Sequence, residues 1–274
     1  MANPSVIQGK MLINGQLVDS VSGDTFESTN PATEELIGIV IAFVLGGIFK
    51  GILGLGVPVI AVPVIADAIS IVLAIILISV PSVVPNIYQV WIYRHHADPD
   101  IRLLPLGIAS IVGSGLGILT LTWADPAVLT QLLGLILWLY MGFRALKPSF
   151  QLSRQIARWT NAPAGFLAGL AGGLTGVSAP VILVYLMSLR LPKETFILTI
   201  SWYFIAMGGG QFLWLIQADL MTWTLFFWSI SSLVPIFVGM WIGTRIGPYI
   251  SKQRFEQLIL VMMAFMGTKL LFNL

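Results

Sequence analysis

The sequence predicts an all-α polytopic membrane protein made of two inverted-topology repeats. Each repeat holds three full spans and one broken, re-entrant helical hairpin, and a short N-terminal β-hairpin tail precedes them. Three observations carry this. Of the 274 residues, 57% are hydrophobic and 9% charged, with mean hydropathy +0.92, whereas a soluble domain carries about a quarter charged residues. Apolar stretches long enough to cross a ~30 Å hydrocarbon core recur along most of the chain. A glycine-rich break also occurs twice without a gap, at 46–59 and 168–181, an offset of 122 residues.

Residues 1–35 are polar and form the expected soluble tail, with no cleavable signal peptide. Leu12 to Asp19 alternates around Asn14-Gly15, a hairpin pattern. Turns are expected at Ser22-Gly23-Asp24 and at Asn30-Pro31. Residues 12–38 resemble the N-terminal hairpin of aldehyde dehydrogenases. That family works through a catalytic cysteine on a dinucleotide-binding fold, and this sequence contains no cysteine. The tail is therefore read as an appended segment, with docking of a partner as the alternative.

The membrane part begins at Leu36. Its apolar segments are 36–66 (broken at 50–57), 68–93, 103–123, 127–146, 163–189 (broken at 172–179), 195–217, 222–243 and 256–273. The first repeat is 36–146, a cytoplasmic linker 147–162, and the second repeat 163–274. The offset of 122 also pairs Ser79 with Ser201, Gln89 with Gln211, Gly117 with Gly239 and Pro126 with Pro248.

Cations set the orientation, because cytoplasmic loops collect Lys and Arg. Arg94 and Arg102, then Lys147, Arg154 and Arg158, then Arg190 and Lys193, then Arg245, Lys252 and Arg254 mark inside loops. The connectors between them carry Asp125 or Asp219 and no cation. Span 68–93 then runs inward while 195–217 runs outward, so the duplication is inverted. Segments 36–66 and 163–189 each start and end on one side. Two arms of roughly 20 Å, at 1.5 Å per residue, make a re-entrant hairpin with its tip near mid-membrane; two tilted full spans are the alternative. Both termini face outside.

Each hairpin's second arm starts at its tip, near Pro58 or Pro180, so unpaired N–H groups and a positive dipole end point into the protein. Helix N-termini and glycine-rich turns of this kind bind anions. In transporters, interrupted segments at matching places in two halves mark the binding site. The candidate lining at the first tip is Lys50, Gly51, Gly54, Gly56 and Pro58. At the second it is Gly172, Gly173, Thr175, Gly176, Ser178 and Pro180, with hydroxyl donors from Thr175 and Ser178. Lys50 at membrane depth is either functional or a snorkelling side chain. Ser79, Ser82, Asn86, Gln89 and Tyr93 form a polar stripe beside the kinking Pro81 and Pro85. Asn86, Gln89 and the matched Gln211 are added to the site; interhelical hydrogen bonding is the other reading. Gly113 with Gly117, and Gly239 with Gly243, are read as helix packing.

Several classes are excluded. A net charge of +2 does not suit nucleic acid. The absence of cysteine removes disulfides and thiolate metal sites. His95 and His96 are read as a loop pair rather than metal ligands. No nucleophile–base or metal constellation points to an enzyme, and no cofactor is expected. Asp67 is the one acid near the middle of an apolar run, which argues against a carboxylate proton relay. The expected partners are a small anionic solute and the bilayer, with homo-oligomer formation left open.

The two breaks, the Lys193-Glu194-Thr195-Phe196 turn and the Gly239-Met240-Trp241-Ile242-Gly243 run resemble the TauE/SafE family of membrane transporters over residues 36–274. The resemblance implies export of sulfite or small organosulfur or carboxylated anions across the bacterial inner membrane. It carries over Gly51, Gly54, Gly56, Pro58, Gly172, Gly173, Gly176 and Pro180. Two departures stand out: Gly56-Val57-Pro58 and Ser178-Ala179-Pro180 replace the usual glycine triplets, and Lys50 replaces a small residue. The expected function is secondary transport by alternating access, outward, since an anion leaving a negative-inside cell gains about 2.3 kcal/mol per charge per 100 mV. A passive anion channel of the same fold, or ion-coupled uptake, is the alternative.

Overall fold

The computed structural model describes residues 11–13, 16–18, 31–53, 56–99, 101–146, 151–246, 249 and 252–272. The chain divides into two units, Met1–Glu34 and Glu35–Leu274. In the first, β1 (Met11–Ile13) pairs antiparallel with β2 (Gln16–Val18), Met11 facing Val18 and Ile13 facing Gln16. The expected turn at 22–24 lies outside the described residues.

The helices follow from where glycine, proline and polar caps interrupt the apolar runs. α1 (Pro31–Leu53) opens on a proline, whose missing N–H costs nothing in a first turn. α2 (Val57–Ala68) follows the first glycine break. α3 (Ile71–Ser79) is capped by Ser70, whose side chain accepts from Leu73 N–H, and α4 (Val84–Tyr93) continues it after a 42° bend. Pro81 and Pro85 flank that bend, each removing a ladder donor. A short 3₁₀ turn holds Arg94–His96, all exposed. α5 (Leu103–Leu121) and α6 (Pro126–Leu146) complete the first half.

The second half begins with α7 (Arg154–Thr175) and α8 (Ala179–Ser188), then α9 (Lys193–Gln217). α10 (Trp223–Ser231), α11 (Leu233–Ile246) and α12 (Lys252–Phe272) end the chain. Within the expected linker 147–162, residues 154–162 form the opening turns of α7. The cause is local: the Ser153 hydroxyl accepts from Ile156 N–H and starts the helix there. The helices on either side of each glycine break are unequal in length. α1 and α7 have 23 and 22 residues, while α2 and α8 have 12 and 10.

Among the described residues, four helical stretches are long and apolar enough to cross a membrane, and the bent α3–α4 pair makes a fifth if counted as one. Large apolar side chains such as Leu104, Leu139, Trp159, Val234 and Phe265 lie exposed on the outside of the helical unit. Several buried hydroxyls donate to carbonyls of their own helices. Ser110 and Ser114, for example, donate to the carbonyls of Gly107 and Ile111.

Element boundaries recur at the sequence offset. Adding 122 to Pro31–Leu53 gives 153–175, against Arg154–Thr175; adding it to Val57–Ala68 gives 179–190, against Ala179–Ser188. Packing recurs as well. α5 lies along α7, and its counterpart α11 lies along α1; α5 meets α9 as α10 meets α3, and α6 meets α8 as α12 meets α2. α4 runs antiparallel to α9, with Gln89 at Ser201 and Ser82 at the Gly208 position.

The glycine pairs set those contacts. A methyl on Gly113 would overlap the Phe166 carbonyl, and one on Gly239 the Val44 carbonyl. The two interfaces differ in register. Gly169 sits at Ser110 and Gly173 at Ser114, whereas the counterparts Gly47 and Gly51 sit at Ile236 and Met240. By the offset, Ser110 and Ser114 correspond to 232 and 236, so α11 is displaced four residues, one helical turn, along α1.

Candidate functional site

At the first break α1 ends at Leu53 and α2 starts at Val57. Gly54 lies outside the described residues. Gly56 precedes α2 with φ +128°, a backbone region that favours glycine. Pro58 follows in the first turn, where a helix has unpaired amides in any case. Lys50 sits on the last turn of α1, so its side chain lies beside the start of α2. It is 4% exposed. Its Nζ donates to Asn86 Oδ1 at 2.9 Å and to Gln89 Oε1 at 3.3 Å. Gln89 Oε1 also accepts from Ser201 Oγ at 2.9 Å, and Asn86 Nδ2 donates to the Ser82 carbonyl at 2.8 Å.

The bend between α3 and α4 aims these amides. It turns Asn86 and Gln89, three residues apart on one face of α4, towards Lys50. Ser229 of α10 stabilises the bend, donating to the Leu77 carbonyl at 2.9 Å and accepting from Val80 N–H at 3.3 Å. Between the start of α2 and the bend lies a small half-open pocket. Lys50, Gly56, Pro58, Ser82, Asn86 and Phe204 contribute to its wall.

The second break is built differently. α7 ends at Gly176, left-handed at φ +74°, whose N–H donates to the Gly172 carbonyl at 2.8 Å. Gln211 Nε2 donates to the same carbonyl at 3.0 Å. Gly172 and Gln211 are the counterparts of Lys50 and Gln89, so each tip is tied to the facing helix at the same place. Thr175 Oγ1 is engaged locally, donating to the Ala171 carbonyl at 2.8 Å and accepting from Val177 N–H at 3.3 Å. Ser178 precedes α8 and Pro180 lies in its first turn.

The expected site residues thus separate. Lys50, Gly56, Pro58 and Asn86 meet around one cavity, with Gln89 bonded to Lys50 behind them. Gly172, Gly176, Ser178, Pro180 and Gln211 belong to the second tip. Gly51 and Gly173 face neighbouring helices: a methyl on either would meet the Met240 or the Ser114 carbonyl. Sequence reasoning missed Phe204 on the pocket wall and Ser201, which bonds Gln89. The signal was the offset pair Ser79–Ser201, which places that stretch of α9 opposite α4. Among the described residues no cluster of His, Cys, Asp or Glu could hold a metal ion.

Chemically, the Lys50 side-chain amine and the first turn of α2 line one small pocket. That combination suits a small anion. Residues 39–270 match the family model described as Sulfite exporter TauE/SafE. No curated protein and no solved structure matches the chain.

Proposed function

The chain belongs to the sulfite exporter TauE/SafE family, and from that membership we propose that it moves a small sulfur-containing or carboxylate oxyanion by alternating access, outward. The family match carries the transporter class. The observation that carries the site is the buried Lys50 side chain beside the first turn of α2, on the wall of a small half-open pocket. The anion is held there by Lys50 and the α2 amides, while Asn86 and Gln89 orient the ammonium group. Thr175 and Gly173, engaged locally, serve the tip's shape.

Two features favour alternation about a pseudo-two-fold axis, with the halves inserted in opposite directions. Equivalent helices α4 and α9 pack antiparallel, Gln89 at Ser201 and Ser82 at Gly208. The glycine-lined interfaces sit one turn apart in register. Interfaces that can seat in two discrete registers supply the two states that alternation needs.

The test is sulfite flux in proteoliposomes with Lys50→Gln, which keeps a donor for Asn86 and removes the charge. A charged hydrogen bond is worth about 1.5–3 kcal/mol, so half-saturation should rise about ten- to a hundredfold. Flux equal to wild type in a folded Lys50→Gln protein removes Lys50 from the site.

A further inference from the structure

Exchanging the two halves carries the Lys50 cavity onto a second set of residues. With the offset of 122, Gly56 becomes Ser178, Pro81 becomes Tyr203 and Lys50 becomes Gly172, while Ser82 and Phe204 change places. Ser82 and Phe204 therefore belong to both sets. Phe204 stands edge-on to the Tyr203 ring at 5.3 Å between centroids.

The second set contains two buried hydroxyls with no hydrogen-bond partner, Ser178 Oγ and Tyr203 OH, on residues 1% and 0% exposed. The Tyr203 hydroxyl interacts with Ser178, although neither hydroxyl makes a hydrogen bond of standard geometry. Buried hydroxyls are normally bonded, so this pair keeps hydrogen-bonding capacity that the chain leaves unused. Ser178 is also the residue that opens the ten-residue helix α8, and Ile182 N–H already takes the Ser178 carbonyl at 3.2 Å. The amides before it in the first turn have no partner within the helix. Acceptors nearby are occupied: Gly172 O by Gly176 N–H and Gln211, Ala171 O by Thr175. What remains at this tip is donors.

We propose that the second tip is a separate, uncharged station for the same oxyanion, in which Ser178 Oγ and Tyr203 OH donate to it at the start of α8. This rests on the anion-transport reading given above. The Phe204 ring and Ser82 form the partition between the two stations. The Lys50 station is the tighter one, because hydrogen bonds from an ionised donor are about twice as strong as neutral ones.

Equilibrium binding of radiolabelled sulfite to the full-length chain in nanodiscs tests it. Wild type should bind two sulfites per chain with unequal affinity. Lys50→Gln should lose the tighter site and keep the weaker. Ser178→Ala with Tyr203→Phe should do the converse and, without sulfite, melt no lower than wild type. A single site, lost in Lys50→Gln and untouched in the hydroxyl variant, overturns the second station and leaves the proposed function standing. No saturable binding overturns both. A hydroxyl variant that melts well below wild type without sulfite assigns the pair to the fold and overturns the station.

Discussion

At the residue scale the account turns on a lysine in a place where lysine is costly. Lys50 is buried against Asn86 Oδ1 and Gln89 Oε1 on a helix bent by two prolines, and an ionisable group at such depth is by default functional. Asp67 is the contrast. It pairs with Lys269 at 2.7 Å, but both side chains are about a third exposed. Such a pair is worth about 0–1 kcal/mol, so Asp67→Asn should shift the melting temperature little and leave sulfite flux within about twofold of wild type. Flux abolished in Asp67→Asn would give that carboxylate a transport role. Lys50, Gly56 and Asn86 were legible because glycine, proline and charge are conspicuous in apolar sequence. Tyr203 and Phe204 were not, since an aromatic residue in a span looks the same whether it meets lipid or lines a site.

At the element scale, glycines hold the helices close and a serine holds a bend. The carbonyls of Val44 and Ile48 lie where side chains on Gly239 and Gly243 would be. Gly239→Leu should therefore prevent α1 and α11 from seating and sharply lower the yield of folded protein. Gly142 of α6 has nothing within 4 Å of an added methyl, and Gly142→Ala should be neutral or stabilise by up to about 1 kcal/mol, the helix-interior difference between the two residues. Thermal unfolding in detergent compares the two. Ser229→Ala leaves the Val80 amide and Leu77 carbonyl short of a partner, at about 1–3 kcal/mol, and should raise half-saturation for sulfite because the bend aims Asn86. The packing role of Gly113, Gly117, Gly239 and Gly243 was readable from spacing alone. The early start of α7 was also available, in the Ser153 cap, but the apolar pattern only sets in at Ala162 and drew the boundary there.

At the scale of the whole molecule, the two halves have matching element boundaries and different local chemistry. One tip offers an ammonium group, the other hydroxyls; one glycine interface sits a turn ahead of the other. Boundaries were legible because the 122-residue offset preserves glycine and proline. The difference in register was not, because glycines spaced by four fit either seating. A transporter that alternates should show trans-stimulation, faster efflux of labelled sulfite when unlabelled sulfite lies on the far side; a passive channel shows none.

The central claim is that the cavity beside Lys50 holds the anion and opens in turn to each side. Because the chain has no cysteine of its own, a single Ser82→Cys on the cavity wall can be labelled with a membrane-impermeant thiol reagent in sealed right-side-out and inverted vesicles. The account predicts slow labelling from both sides, with sulfite slowing it further. Equal labelling with and without sulfite, or reaction from one side only under every condition, would contradict it.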